Sequence, residues 1–425
     1  MSLLLEDVKL SFCEWMRLED HNIIDVVLGA VIANSLEGDP INLYIVAPPS
    51  SGKTEILRSL NDFSKIYYLS SLTSQTLISG SKAKDGRYKN SLLLRLKDLG
   101  KTILVLKDFT SILEMRNESR QEILSQLREI ADGYYKKPFG TGEEVDWTGK
   151  LAIIAGVTPA IERYHSIHQV LGERFLYYRI SQNNPRAMAE MAQKFAGKEE
   201  QMRNGLRETV KQFLEQFEGY TIKDIQIGGE INGRLFGLAC FIADVRSGVS
   251  RDRYTQMIEY LPEAEGPARL VKQLFTLGCG IAIIQGKSEV DEDVYEILKK
   301  IGKNTIPSHR NLILKEMWER EITGDSWEKT RTLSGYFSYP VTTTKMQLED
   351  LMILGLVNRK IEDGSSGDED GPYRRQDTTP YYWRLSDKCC DLIRTSEIYD
   401  LQDDTWVFNM ENEENLNKQS PGIGT

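Results

Sequence analysis

Residues 47–54 read Ala-Pro-Pro-Ser-Ser-Gly-Lys-Thr, and side chains of these types at this spacing can grip a phosphate. The pattern is that of a phosphate-binding loop, except that Ala47 stands where the first glycine falls, a position that needs only a small residue. In such a loop successive main-chain N–H groups wrap the anion, and a glycine, here Gly52, permits close approach. Lys53 would reach the terminal phosphate oxygens and the Thr54 hydroxyl would ligate a magnesium ion. The expected contacts are Pro49, Ser50, Ser51, Gly52, Lys53, Thr54 and Glu55, and the ligands implied are ATP and Mg2+. A short apolar run, Leu43 to Val46, precedes the loop, and a helix expected over Glu55 to Phe63 follows with its N-terminus toward the anion. A chance Ser-Gly-Lys-Thr in a surface loop would lack these flanks.

Three further strand ends would have to meet this loop. Ile103 to Leu106 is a four-residue apolar run of the buried parallel type, followed by Lys107 and Asp108. Where two acids usually stand there is one, so Asp108 would have to hold the magnesium's water shell, polarise the attacking water, or both. As a bland alternative it caps a helix from about Ser111. A third run, Leu151 to Ala155, leads to Thr158, read either as a sensor of the terminal phosphate or as an ordinary strand-end threonine. The last, within Leu171 to Ile180, is led by Arg174. An arginine there could reach a neighbouring copy's nucleotide and stabilise charge in the transition state, or could make a surface ion pair. Arg179 is a second candidate for that role.

Strand–loop–helix, strand–acid, strand–polar and strand–arginine in this order resembles the AAA+ ATPases. The stretches Ser71 to Gly80, Leu92 to Leu113 and Asp132 to Lys150 are similar to ATP-binding proteins of phages and mobile elements, akin to self-loading helicases of the minichromosome-maintenance type. The resemblance runs from about residue 40 to 390. It implies that Arg269, at the start of a helix in a helical lid, contacts the terminal phosphate. It also implies that Tyr134 to Lys150 forms a hairpin lining the central channel of a hexamer. The residues agree with a hairpin: Tyr134-Tyr135-Lys136-Lys137, then Gly140-Thr141-Gly142, then Val145 to Trp147 returning. Lys136 and Lys137 beside aromatics suit the phosphates and bases of a single strand, although a solvated surface hairpin has the same composition. Lys82, Lys84 and Arg87 mark a second basic loop, with Lys89, as another contact to DNA or to a neighbouring copy.

The pattern changes after Pro307. Helices are expected at Asn311 to Glu321, Thr330 to Phe337 and Met346 to Leu354, with Thr342 or Thr343 capping the third. Strands are expected at Leu356 to Ile361 and Tyr381 to Leu385. Three helices and a hairpin make a winged helix-turn-helix, whose third helix would present Thr343, Thr344 and Lys345 to a major groove. Arg374, Arg375 and Arg384 would lie on the wing. Asp368-Glu369-Asp370 at its tip opposes DNA contact there, and such modules also serve purely as protein contacts.

The fold class read from these elements is α/β: a P-loop AAA+ core with a parallel sheet, a helical lid and a C-terminal winged helix. The divisions are 1–39 helical, 40–183 core, 184–304 lid, 305–395 winged helix and 396–425 an acidic tail. The chain of 425 residues has 53 Lys plus Arg against 63 Asp plus Glu, a formal charge of −10. Seven acids and one base lie from Ser396 onward, so the tail holds −6 and the rest −4. Coating nucleic acid by bulk charge is thereby excluded; enclosing it in a ring is not. Five scattered cysteines without a C-x-x-C pair, four scattered histidines, no leader and no 18-residue apolar run point to a cytoplasmic protein without a membrane span. The expected function is an ATP-driven helicase or translocase acting as a homo-hexamer on single-stranded or forked DNA in mobile-element or phage replication. The alternatives are an ATP-switched DNA-binding regulator or helicase loader, and a protein-remodelling or conflict-system NTPase.

Overall fold

The computed structural model describes residues 2–78, 91–138, 144–164, 174–181, 184–252, 254–255, 257–262, 264–361 and 380–399. Its centre is a five-stranded sheet of β1 (Asn42–Val46), β2 (Ile66–Leu69), β3 (Ile103–Leu106), β6 (Ala152–Val157) and β7 (Phe175–Arg179). The order is β2-β3-β6-β1-β7 and every pairing is parallel. Both faces of the inner strands are covered, which is why β3 and most of β1 and β6 read as apolar runs. Leu43, Ile45, Ile103, Val105, Ile154 and Leu176 point into one apolar cluster. Tyr44, Val46, Leu104, Leu106, Ile153 and Tyr177 point into the other. The runs at 103–106 and 175–179 fall inside the stretches anticipated from sequence.

The larger cluster takes in the N-terminal helices Leu5–Trp15 and Asn22–Ser35, the later helices Gly229–Arg246, Ala268–Ile284 and Glu292–Thr305, and apolar side chains beyond residue 305. Stretches expected as separate segments therefore share one core with the sheet. The Asn22–Ser35 helix is buried from Ile23 to Asn34 and lies against Ala268–Ile284 with its backbone almost in contact. A Cβ on Gly280 would stand 2.3 Å from the Gly29 carbonyl oxygen, and one on Gly29 would stand 2.6 Å from Ile281 Cγ1. Only glycine at both positions allows that approach.

Beyond Pro307 come helices Ser308–Glu319, Thr330–Phe337 and Val341–Ile353. A three-stranded antiparallel sheet follows, ordered β8 (Glu328–Lys329), β10 (Tyr381–Leu385), β9 (Val357–Ile361). The second helix and the return strand have the expected bounds. The third helix starts earlier than expected, at Val341 after Pro340, so neither Thr342 nor Thr343 caps it; a proline fits a helix start because its missing N–H has no partner to lose. The short β8 and the Asp387–Ser396 helix were not foreseen. That last helix returns to Gly229–Arg246, where a Cβ on Gly237 would meet Thr395 Cγ2 at 2.8 Å. The module is bolted on by polar groups as well. The buried Arg310 donates to the carbonyls of Val245 (2.7 Å) and Ser247 (2.6 Å), and Arg251 pairs with Asp350 (2.6 Å). Among the described residues no helix is long and apolar enough to cross a membrane.

Replacing Gly280 by Ala should lower stability by about 2–3 kcal/mol, because backbone rather than a flexible side chain occupies the space; a denaturant titration checks this. His309, beside Arg310 and Gln347, has its pKa pushed down from 6.5 to about 4 by burial and by the Arg310 charge. Between those values the unfolded chain takes up a proton that the folded chain refuses. Stability should therefore fall as pH drops from about 6.5 to 4, by up to about 3 kcal/mol. His309→Gln should flatten the stability–pH curve in that window.

Candidate functional site

The parallel sheet brings the chemically capable residues to its carboxyl edge. β1 ends at Val46, and the Ala47 N–H continues the pairing by donating to the Val157 carbonyl at 3.1 Å. The chain then turns through Ser50 (φ 63°) and Gly52 (φ 79°) into the Lys53–Ser59 helix. Ser50 in the left-handed region costs about 1–2 kcal/mol that glycine would not, strain of the kind found where a backbone is shaped for a ligand. The Lys53 side chain is buried, its Nζ donating to the carbonyls of Ala47 (3.1 Å) and Val157 (2.8 Å). Burial pushes its pKa down, and the Asp108 charge opposes that shift. Thr54 follows in the first helical turn, half-buried.

β6 lies between β1 and β3, so Thr158, next after β6, sits between the loop and Asp108, two residues past β3. The crossing is tight: Phe109 N–H donates to the Gly156 carbonyl at 2.7 Å. A Cβ on Gly156 would stand 2.7 Å from the Lys107 carbonyl oxygen and 3.2 Å from Lys53 Cδ. Asp108 is exposed, and one carboxylate oxygen accepts the Thr110 N–H at 2.9 Å. It thus stabilises the start of the short Thr110–Leu113 helix while its other oxygen carries no such bond to that turn. Thr158 and Thr110 bond reciprocally: Thr158 N–H to Thr110 Oγ1 at 2.9 Å, and Thr110 Oγ1 to Thr158 Oγ1 at 3.2 Å. Lys53, Thr54, Asp108 and Thr158 therefore share one edge.

The remaining expected residues lie elsewhere. Glu55 does not turn its carboxylate to the loop; Arg203 holds it in a two-pronged pair at 2.9 and 2.9 Å, and Arg58 adds a third bond at 3.0 Å. Arg174 leads β7, and its carbonyl lies beside Asn42, the first residue of β1. It is at the amino edge of the sheet, opposite the loop, with its guanidinium paired to Asp132 (3.1 and 2.9 Å). Arg269 is beside it, since the Arg174 charge, after burial, is what pushes the Arg269 pKa down. Like Arg174, it lies away from the loop of its own chain. Beneath both, the buried Arg246 is paired to Glu265 (2.9 and 3.0 Å). Arg179, the second candidate, is buried against Glu162 and the Asn304 carbonyl.

The hairpin strands β4 (Tyr134–Pro138) and β5 (Glu144–Thr148) pair antiparallel, with Tyr135 and Trp147 buried on one face and Tyr134 exposed on the other. Lys136 pairs with Glu144 (2.6 Å) and Lys137 with Glu122 (3.5 Å). The hairpin is thus charge-matched rather than basic. Lys82, Lys84 and Arg87 lie outside the described residues. In the Val341–Ile353 helix, Thr344 is fully buried, which corrects its assignment as a groove contact: its side chain has no surface to present. Thr343 is half-buried, and Lys345 lies over the Tyr381 ring at 4.5 Å, with Glu349 at 4.0 Å.

No family model matches the chain, and no curated protein does. Among solved structures, the chain is similar to one from Cytophaga hutchinsonii described as a "putative ATPase". The TM-score is 0.41 and the identity 11%, covering 71% of this chain and 85% of that one. At that distance no residue or activity is carried across.

Two features escaped the sequence reading. Met16, at the end of the first helix, brings its sulfur to 3.4 Å from where a Gly52 Cβ would be, and next to it Trp15 stacks at a tilt on Phe195 (4.9 Å). Arg203 reaches Glu55 from 148 positions away. Periodicity shows each helix separately, and nothing in it says that they converge on the loop. Gly156→Ala should displace the Lys107 carbonyl or the Lys53 stem. Binding of a fluorescent ATP analogue should weaken by about tenfold or more, with a lower melting temperature.

Proposed function

We propose that the chain is a P-loop ATPase that works as a ring of copies on DNA. The observation that carries the ATPase reading is the buried Lys53 ammonium at the carboxyl edge of β1, under a left-handed loop and across β6 from Asp108. The donor set fits magnesium with a nucleoside triphosphate. Thr54 offers a hydroxyl and Asp108 a carboxylate, both hard oxygen donors. Among the described residues no group of three His, Cys, Asp or Glu gathers that could hold a metal without the phosphates. When bound, magnesium neutralises charge on the phosphate oxygens. Lys53 exchanges its two carbonyls for phosphate oxygens. Asp108 orients a water in line with the terminal phosphorus and draws on its proton, and Thr158 turns from Thr110 to the terminal phosphate.

Arg174 and Arg269 favour the ring. They sit together at the sheet edge opposite Lys53, so they suit the nucleotide of a neighbouring copy rather than their own. The DNA part rests on the hairpin, with exposed Tyr134 and the Lys136 and Lys137 pair, and on the three-helix module with its antiparallel sheet, read as a winged helix. Phosphates would have to displace Glu144 and Glu122 from the hairpin lysines. A second reading is a nucleotide-switched DNA-binding regulator or loader that does not unwind. The lone carboxylate at Asp108 favours it, since one group must then serve both ion and water.

Lys53→Ala should lower ATP hydrolysis by at least about 100-fold; unchanged turnover overturns the ATPase reading. Mixing Lys53→Ala with Arg174→Ala should recover part of the activity, because each supplies the half that the other lacks. Displacement of a strand from tailed forks separates the two DNA readings, and ATPase activity indifferent to DNA rejects both.

A further inference from the structure

The helix Glu199–Glu215 buries Leu206, Val210, Phe213 and Leu214 against the core. One turn before Leu206, on the same stripe, stands Arg203 where the pattern calls for an apolar residue. This helix packs on the Lys53–Ser59 helix and on the first helix, Leu5–Trp15. At the first contact Arg203 Nε and Nη2 each lie 2.9 Å from one oxygen of Glu55. Arg58 donates to Glu55 from within the same helix at 3.0 Å. Exposed single ion pairs contribute little, but two parallel N–H bonds from a planar guanidinium fix direction as well as distance. Glu55 directly follows Lys53 and Thr54. Its carboxylate is thus the handle by which a remote helix grips the first turn after the loop.

We propose that Arg203 is a positioning residue for the nucleotide site: through Glu55 it fixes the first turn of the Lys53–Ser59 helix, and so the directions in which Lys53 and Thr54 leave it. This rests on the ATPase reading of Lys53. The two helices then move as one body. A shift of the Glu199–Glu215 helix, whose own approach carries Phe195 against Trp15, is transmitted to the loop rather than absorbed between them. The Ala47 end of the loop is held by its own pairing to β6, so phosphate contacts of the loop's main-chain N–H groups depend on the clamp less than the alignment of Lys53 and Thr54 does. Loss of the clamp should therefore fall on turnover more than on binding.

The test uses the full chain with Arg203→Ala, with the isosteric Glu55→Gln, and with the exchanged pair Glu55→Arg plus Arg203→Glu. Two readouts are taken: ATP hydrolysis, resolved into kcat and KM, and amide hydrogen exchange across residues 53–59. Each single variant should lower kcat by about 10–100-fold with KM changed by less than about threefold, and should speed exchange in that helix by about tenfold. The exchanged pair should bring both back to within about threefold of the parent. The proposal is overturned if the single variants keep the parental kcat and exchange while only the melting temperature falls, or if a stably folded exchanged pair restores neither. Lys53→Ala run alongside keeps the two ideas apart. If it hydrolyses ATP as the parent does, the ATPase reading fails on its own, and the exchange data still judge the clamp.

Discussion

The Lys53 ammonium is solvated inside the protein by main-chain carbonyl dipoles rather than by a paired carboxylate. The carbonyls of Ala47 and Val157 hold it at 3.1 and 2.8 Å, and the nearest charge acting on it is Asp108 across β6. A buried cation so held is costly unless its geometry is well satisfied. That requirement sets the spacing of the whole carboxyl edge. β6 must end close enough to β1 for Val157 to serve as acceptor, and β3 must pass close enough over Gly156 for Phe109 to bond its carbonyl. A side chain at Gly156 would push those three apart. The left-handed turn at Ser50 and Gly52 is the way the chain returns from β1 in time to place Lys53 there.

Positive charge on this molecule is distributed by pairing rather than by patches. Lys136 and Lys137 face carboxylates, Arg174 faces Asp132, Arg246 faces Glu265, and Arg203 faces Glu55. The net charge of −10 adds no long-range attraction for a polyanion to these paired sites. An anion that binds at one of these paired cations must displace a carboxylate, whereas one that binds at Lys53 displaces main-chain carbonyls. Displacement moves the partner acid and the element bearing it, which makes binding a mechanical event as well as an electrostatic one.

The sheet was legible because parallel strands buried on both faces leave an unmistakable mark. Ile103–Leu106 is an unbroken apolar run with polar residues following where it emerges, and Phe175–Arg179 is apolar and aromatic up to its closing arginine. The loop was legible because its residue types and spacing are dictated by the anion. Helix ends were less so: Val341–Ile353 begins five residues before the expected Met346, with Pro340 rather than a threonine immediately before its first residue. Thr344 shows the limit of reading a face from residue type, since a threonine is small enough to pack inward. Contacts between distant segments were not legible at all. Glu55 with Arg203, Gly52 with Met16, and Arg174 with Arg269 are joined by tertiary packing, and no residue type or spacing in the sequence links one partner to the other.

The near contact of Gly29 with Gly280 bears on how the chain comes to be folded as it is made. The Asn22–Ser35 helix is apolar on nearly every side, yet its closest partner is about 250 residues further along. At about 5–20 residues per second of synthesis it would wait some 12–50 seconds for that partner to be made. During that interval the sheet and the phosphate loop can already form, while one of the most apolar helices of the protein has its main contact surface uncovered. A protein so arranged depends, in its first minute, on whatever else in the cell shields such a helix.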